Sequence, residues 1–193
     1  MLSIFQSLHK TIMASVVLLV ILIGTVGHPM EYGFTWVLFF VRWLHVISAV
    51  MWVGLLWYFN FVQIPSMPKI PDEQKSAISK IIAPEALFWF RYAALSTVIT
   101  GLLVALLNGY LLDALSLKVP FVAIGIGMWF ALVMAYNVWF ILWPNQKKAL
   151  GIVEVPTEEK TRAAKYAMIT SRVNAVLSLP MLYMMVAQSH GGI

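Results

Sequence analysis

The sequence predicts an all-α integral membrane protein, a bundle of five transmembrane helices in a single domain with a cytoplasmic N-terminus and an external C-terminus. Three observations carry that expectation. The 193 residues are 61% hydrophobic and only 11% charged, where a soluble domain is about 25% charged. Mean hydropathy is +0.85. The apolar residues fall into runs of about 20, the length a helix needs to cross a bilayer. The chain has no cysteine, so disulfides, cysteine-held clusters and thioether-linked haem are excluded. The net charge of +5 has an explanation in loop charge, and no nucleic-acid partner is expected.

The spans, taken in order, are about 11–26, 34–63, 87–112, 119–143 and 172–189. The first follows Lys10 like a signal peptide, but "GHPMEYG" is a poor cleavage site, so a retained helix is expected. The second is too long for one bilayer thickness and must tilt or extend beyond it. Lys10 precedes span one. Lys69, Lys75, Lys80 and Arg91 lie in or just after the second loop, and Lys147, Lys148, Lys160, Arg162, Lys165 and Arg172 in or just after the fourth. The alternate loops hold only Lys118. Basic residues collect on the cytoplasmic side, which sets the orientation and suits a bacterial inner membrane.

The cytoplasmic loops carry helical signals of their own. Prolines 65, 68, 71 and 84 break the second loop, Asp72 can cap a short helix, and Ile78, Ile81 and Ile82 suit a helix lying on the membrane surface. In the fourth loop Thr157 can cap a helix that starts with glutamates and runs into span five. Pro180 is placed to kink that span, and Gly54, Gly101, Gly125 and Gly127 permit close helix approach. Trp36, Trp43, Trp57, Tyr58, Trp89, Tyr92, Trp139 and Trp143 fit an interfacial belt, and the methionines fit adaptable packing.

Ionisable groups inside a span are costly, and by default they mark function. Arg42 and His45 lie three apart in span two and share a helix face, which Ser48 and Trp52 continue. His190 follows span five, and His28 lies in the first outer loop, so three of the four histidines gather on the outer side. Imidazole ligates haem iron and arginine pairs with propionates. One reading is therefore haem b, with His45 and His190 as iron ligands, Arg42 at a propionate and Trp52 beside the ring. The other is that His45 bonds a neighbouring helix while Arg42 snorkels to headgroups. Without an acidic partner or a close histidine pair, non-haem iron, copper and zinc fit less well.

A second set lies at the cytoplasmic ends. Arg91, Asn137, Asn145, Arg172 and Asn174 bring guanidinium and amide groups to one depth, as a planar anion or a phosphate would require. Basic side chains there also serve lipid phosphates and helix C-termini. The asparagines are not needed for that.

Four strings, "RWLHVISAVMWVGLLWYFNFVQIP", "APEALFWFRYAALSTVITGLL", "YNVWFILWPNQKK" and "SRVNAVLSLPMLYMMVAQSH", resemble the membrane domain of the membrane-bound urate oxidase (urate hydroxylase) family over about residues 34–190. In full-length members a cytochrome c domain follows. This chain ends at Ile193 without cysteine and resembles the short stand-alone form. The family also resembles small membrane proteins that hold haem b through a histidine in an "L-H" start, as His45 does in "WLH". The resemblance implies a membrane redox protein, for electron transfer or oxidation of a small planar substrate such as urate, with a respiratory-chain or cytochrome c partner. A non-enzymatic accessory subunit of a respiratory complex, or a homo-oligomer, stays open beside it. An anion carrier fits less well, because broken spans and repeats are missing.

Overall fold

In a computed structural model, residues 2–26 and 33–192 are described. They are helical, and five helices are long and apolar enough to cross a membrane. These are α1 (Leu8–Val26), α2 (Phe34–Lys69), α3 (Asp72–Leu107), α5 (Val122–Ala149) and α6 (Thr157–His190). A short α4, Leu111–Leu115, lies between α3 and α5. The chain divides into two compact units, Met1–Val37 and Leu38–Ile193. The first unit holds α1, which is apolar almost throughout. The second holds most of α2 and every later helix.

α2, α3 and α5 each run through a proline at which the predicted span stops short. A proline inside a helix lacks a donor and crowds the carbonyl four residues back. Here the helix widens instead of stopping. A π-helical turn occupies Phe59–Gln63 before Pro65, Ile78–Ile82 before Pro84, and Asn137–Leu142 before Pro144. In each case the residue preceding the proline donates five residues back: Ile64 to Phe59, Ala83 to Ile78 and Trp143 to Val138. The wider turn carries the backbone past the proline. The expected surface helix around Ile78, Ile81 and Ile82 is therefore the opening of α3. At about 1.5 Å per residue, the 36 residues of α3 exceed the roughly 30 Å hydrocarbon core.

Two expected caps are also corrected. Pro71 and Pro156 occupy the cap positions, and neither helix start has a side-chain cap. Asp72 is already helical, and its carboxylate accepts from Lys75 Nζ at 2.6 Å. Prolines suit these positions, because the first turn has no use for the missing N–H. α6 runs unbroken through Pro180 and ends at Gly191, whose φ of 66° is the left-handed conformation that closes helices.

Lipid removes the hydrophobic drive between helices, so close packing and polar contacts must hold the bundle. The core joins Trp52, Leu56 and Phe59 of α2 to Phe90 and Ala94 of α3, Met134 and Val138 of α5, and Met181 of α6. Ser48 and Ser96 link α2 to α3 at 2.8 Å. Trp57 Nε1 donates to Ser178 Oγ at 3.0 Å, and the Arg91 guanidinium covers the Trp143 ring. Of the four glycines, Gly101, Gly125 and Gly127 do permit close approach. Gly54 does not, for a Cβ there would meet nothing within 4 Å.

A Cβ on Gly125 would collide with the Ala114 carbonyl oxygen of α4. Backbone cannot move aside as a side chain can. Gly125→Ala should therefore lower stability by about 1–3 kcal/mol, whereas Gly54→Ala should stay within about 0.5 kcal/mol of the parent. Thermal unfolding in detergent checks both.

Candidate functional site

A cavity of about 760 Å³ lies among α2, α3, α5 and α6. That is within the roughly 300–1,000 Å³ of small-molecule and cofactor sites. Its walls are mostly Val, Leu, Met and Gly, and its few polar lining groups include Arg42, His45, Thr97, Tyr110, Ser189 and His190. Three of the residues expected at a haem, Arg42, His45 and His190, thus line one space, though they come from opposite ends of the sequence.

His45 is the best-positioned of them. Its Nδ1 lies 3.0 Å from the Thr97 carbonyl oxygen and 3.2 Å from Thr100 Oγ1. A carbonyl only accepts, and the Thr100 hydroxyl already donates to the Ser96 carbonyl at 2.6 Å. The proton therefore sits on Nδ1, and Nε2 presents a lone pair. A Cβ on residue 101 would come within 2.8 Å of His45 Cε1, so Gly101 is what lets the ring lie against α3. Outer partners of this kind fix the tautomer and the ring of a metal-binding histidine.

His190 repeats the pattern more openly. It is exposed, and its Nδ1 lies 3.2 Å from the Val186 carbonyl, which again leaves Nε2 as the acceptor nitrogen. Arg42 is exposed and reaches 3.5 Å from Asn108 Oδ1. Trp52 does not line the cavity: it is fully buried in the core, and its indole N–H has no partner. His28 lies outside the described residues. Among the described residues no three His, Asp or Glu side chains gather as a metal site.

The second set divides. Asn137 Nδ2 donates to Asn174 Oδ1 at 2.8 Å, and Asn174 Nδ2 donates to the Met134 carbonyl at 3.0 Å. This pair ties α5 to α6. Asn145 turns back to the Ile141 carbonyl of its own helix at 2.8 Å, and Arg172 is exposed. Arg91 is buried against Trp143.

Sequence reasoning missed Thr97, Thr100 and Asn108. The signal was "STVITG", hydroxyls three apart in an apolar run that ends in glycine.

Residues 111–192 match the family described as urate oxidase N-terminal. The match covers α4, α5 and α6, hence His190 and the Asn137–Asn174 pair, and stops short of Arg42, His45 and Arg91. Neither a curated protein nor a solved structure matches the chain.

Removing Asn174 alone should cost about 1–3 kcal/mol, because the buried Asn137 amide loses its acceptor. Asn174→Leu should therefore be markedly less stable than the parent, and Asn137→Leu/Asn174→Leu should regain part of the loss. Denaturant titration of the parent, the two single variants and the double variant checks this.

Proposed function

We propose that the chain is a haem b-binding membrane redox protein related to urate oxidases of the membrane-bound kind, set in a bacterial inner membrane with its N-terminus cytoplasmic. The observation that supports this most is the cavity that Arg42, His45 and His190 share. Each histidine has its Nδ1 on a backbone carbonyl, so each has an Nε2 lone pair free for iron. The donor set fits a porphyrin: two imidazoles, a guanidinium for a propionate and apolar walls for the ring.

In this reading His45 and His190 would hold the iron, which would supply one-electron redox chemistry. The chain's own work is positional. Thr97 and Thr100 hold the His45 proton on Nδ1, which keeps Nε2 the stronger donor. Gly101 clears the space for the ring. The Val, Leu and Met walls would give the ring an apolar lining. The partner expected is a respiratory-chain component such as a cytochrome c.

Protein purified from haem-replete cells should show a Soret band, lost in His45→Ala and weakened or shifted in His190→Ala. Gly101→Ala should also disturb the band while the helices stay folded by circular dichroism, because the added methyl displaces the His45 ring. A colourless parent protein would overturn the reading and favour an accessory subunit.

A further inference from the structure

His190 is the last residue of α6 and is exposed. Packing alone therefore does not hold its ring at the cavity, and a terminal turn stays in place only where something ties it down. The residue two positions earlier supplies a tie. Gln188 turns its amide to the start of α5. Its Oε1 accepts from the Ile124 N–H at 3.2 Å, and its Nε2 donates to the Pro120 carbonyl at 3.1 Å. An N–H only donates and a carbonyl only accepts, so the orientation of this amide is forced.

α5 needs such a group. The first N–H groups of a helix have no carbonyl behind them. The Gly125 N–H reaches the Phe121 carbonyl at 3.0 Å, but the Ile124 N–H comes one residue too early for such a bond. Phe121 holds the cap position and offers no side-chain acceptor. Gln188 thus does from another helix what a cap residue ordinarily does locally. The same amide sets how the end of α6 lies against α5. Close packing continues one turn on, where a Cβ on Gly127 would stand 3.3 Å from Met185 Cγ and 3.4 Å from the Met181 carbonyl oxygen. Beyond His190 the chain folds back on α6. The Gly192 N–H donates to the Ala187 carbonyl at 3.3 Å, and the Tyr183 hydroxyl donates to the Gly192 carbonyl at 2.9 Å. His190 is therefore held from both sides, and it lines the cavity together with Ile124 and Ser189. His45 depends on none of this, because Thr97 and Gly101 of α3 place its ring.

We infer that Gln188 is a positioning residue: its two hydrogen bonds to the start of α5 hold His190 at the cavity it shares with His45 and Arg42. The inference rests on the haem reading for what the two histidines hold. It adds that one of them is set by its own neighbouring helix and the other by a side chain reaching across to α5.

Absorption spectra of the full chain, purified from haem-replete cells, test it. The imidazoles on haem iron set its spin state: two give a low-spin spectrum and one a high-spin spectrum. The parent should be low-spin. Gln188→Leu should keep the Soret band through His45 while most of the haem becomes high-spin. Added imidazole should restore the low-spin spectrum in Gln188→Leu, as in His190→Ala. Asn174→Leu, which breaks a different tie between α5 and α6, should lose stability and stay low-spin. Should Gln188→Leu fail to fold, Gln188→Glu carries the test at neutral pH: it keeps the acceptor for Ile124, loses the donor to Pro120 and should raise the high-spin fraction above the parent's. A coloured parent that is already high-spin, a folded Gln188 variant with the parent's spectrum, or an equal change in Asn174→Leu would overturn the positioning role and leave haem binding standing. A colourless parent would overturn both.

Discussion

One contact underlies the site, the hydrogen bond from His45 Nδ1 to the Thr97 carbonyl at 3.0 Å. It decides which ring nitrogen holds the proton, and so which one faces chemistry. It exists only because residue 101 is glycine: a methyl there would stand 2.8 Å from the ring. Inside a helix the Thr97 carbonyl would ordinarily be committed to a backbone N–H four residues on, and residue 101 is that position. The imidazole therefore shares the carbonyl at the point where the missing side chain exposes it. The Ser48–Ser96 bond lies one turn away along the same two helices. Together they clamp α2 to α3 with polar contacts, which is what association in lipid requires.

The five spans were legible because length and apolarity are what a bilayer selects. Their ends were less so, and prolines are the reason. Pro84 and Pro144 read as breakers, yet each is preceded by a π-helical turn that lets the helix continue. A sequence shows the proline but not which neighbour will accept the displaced hydrogen bond. The same holds for capping: Asp72 and Thr157 have the right chemistry, but the prolines before them already fill the cap position.

The site was legible in part. Arg42, His45 and His190 stood out because charge and imidazole are rare in oil, and all three line one cavity. Trp52 was assigned by face alone. A helix face that holds Arg42 at its end and Trp52 two to three turns later passes from the cavity into the core, and periodicity does not mark where. Among the asparagines the difficulty was combinatorial. Each could join a ligand, a neighbour or its own backbone, and the structure shows Asn137 with Asn174 and Asn145 with Ile141. Polarity alone does not tell these outcomes apart, because the choice depends on which neighbour the packing brings within reach.

The two ends of the bundle constrain any function that uses both. Along α2, His45 and Asn60 are separated by about 22 Å at 1.5 Å per residue. Atoms cannot be exchanged over that span, so a molecule beside Asn60 could not touch one in the cavity. The side chains between the ends are packed: Trp52, Leu56 and Phe59 are all buried, with Trp57 beside the cavity. With Phe90, Ala94, Met134 and Val138 they form the apolar core that separates the two ends.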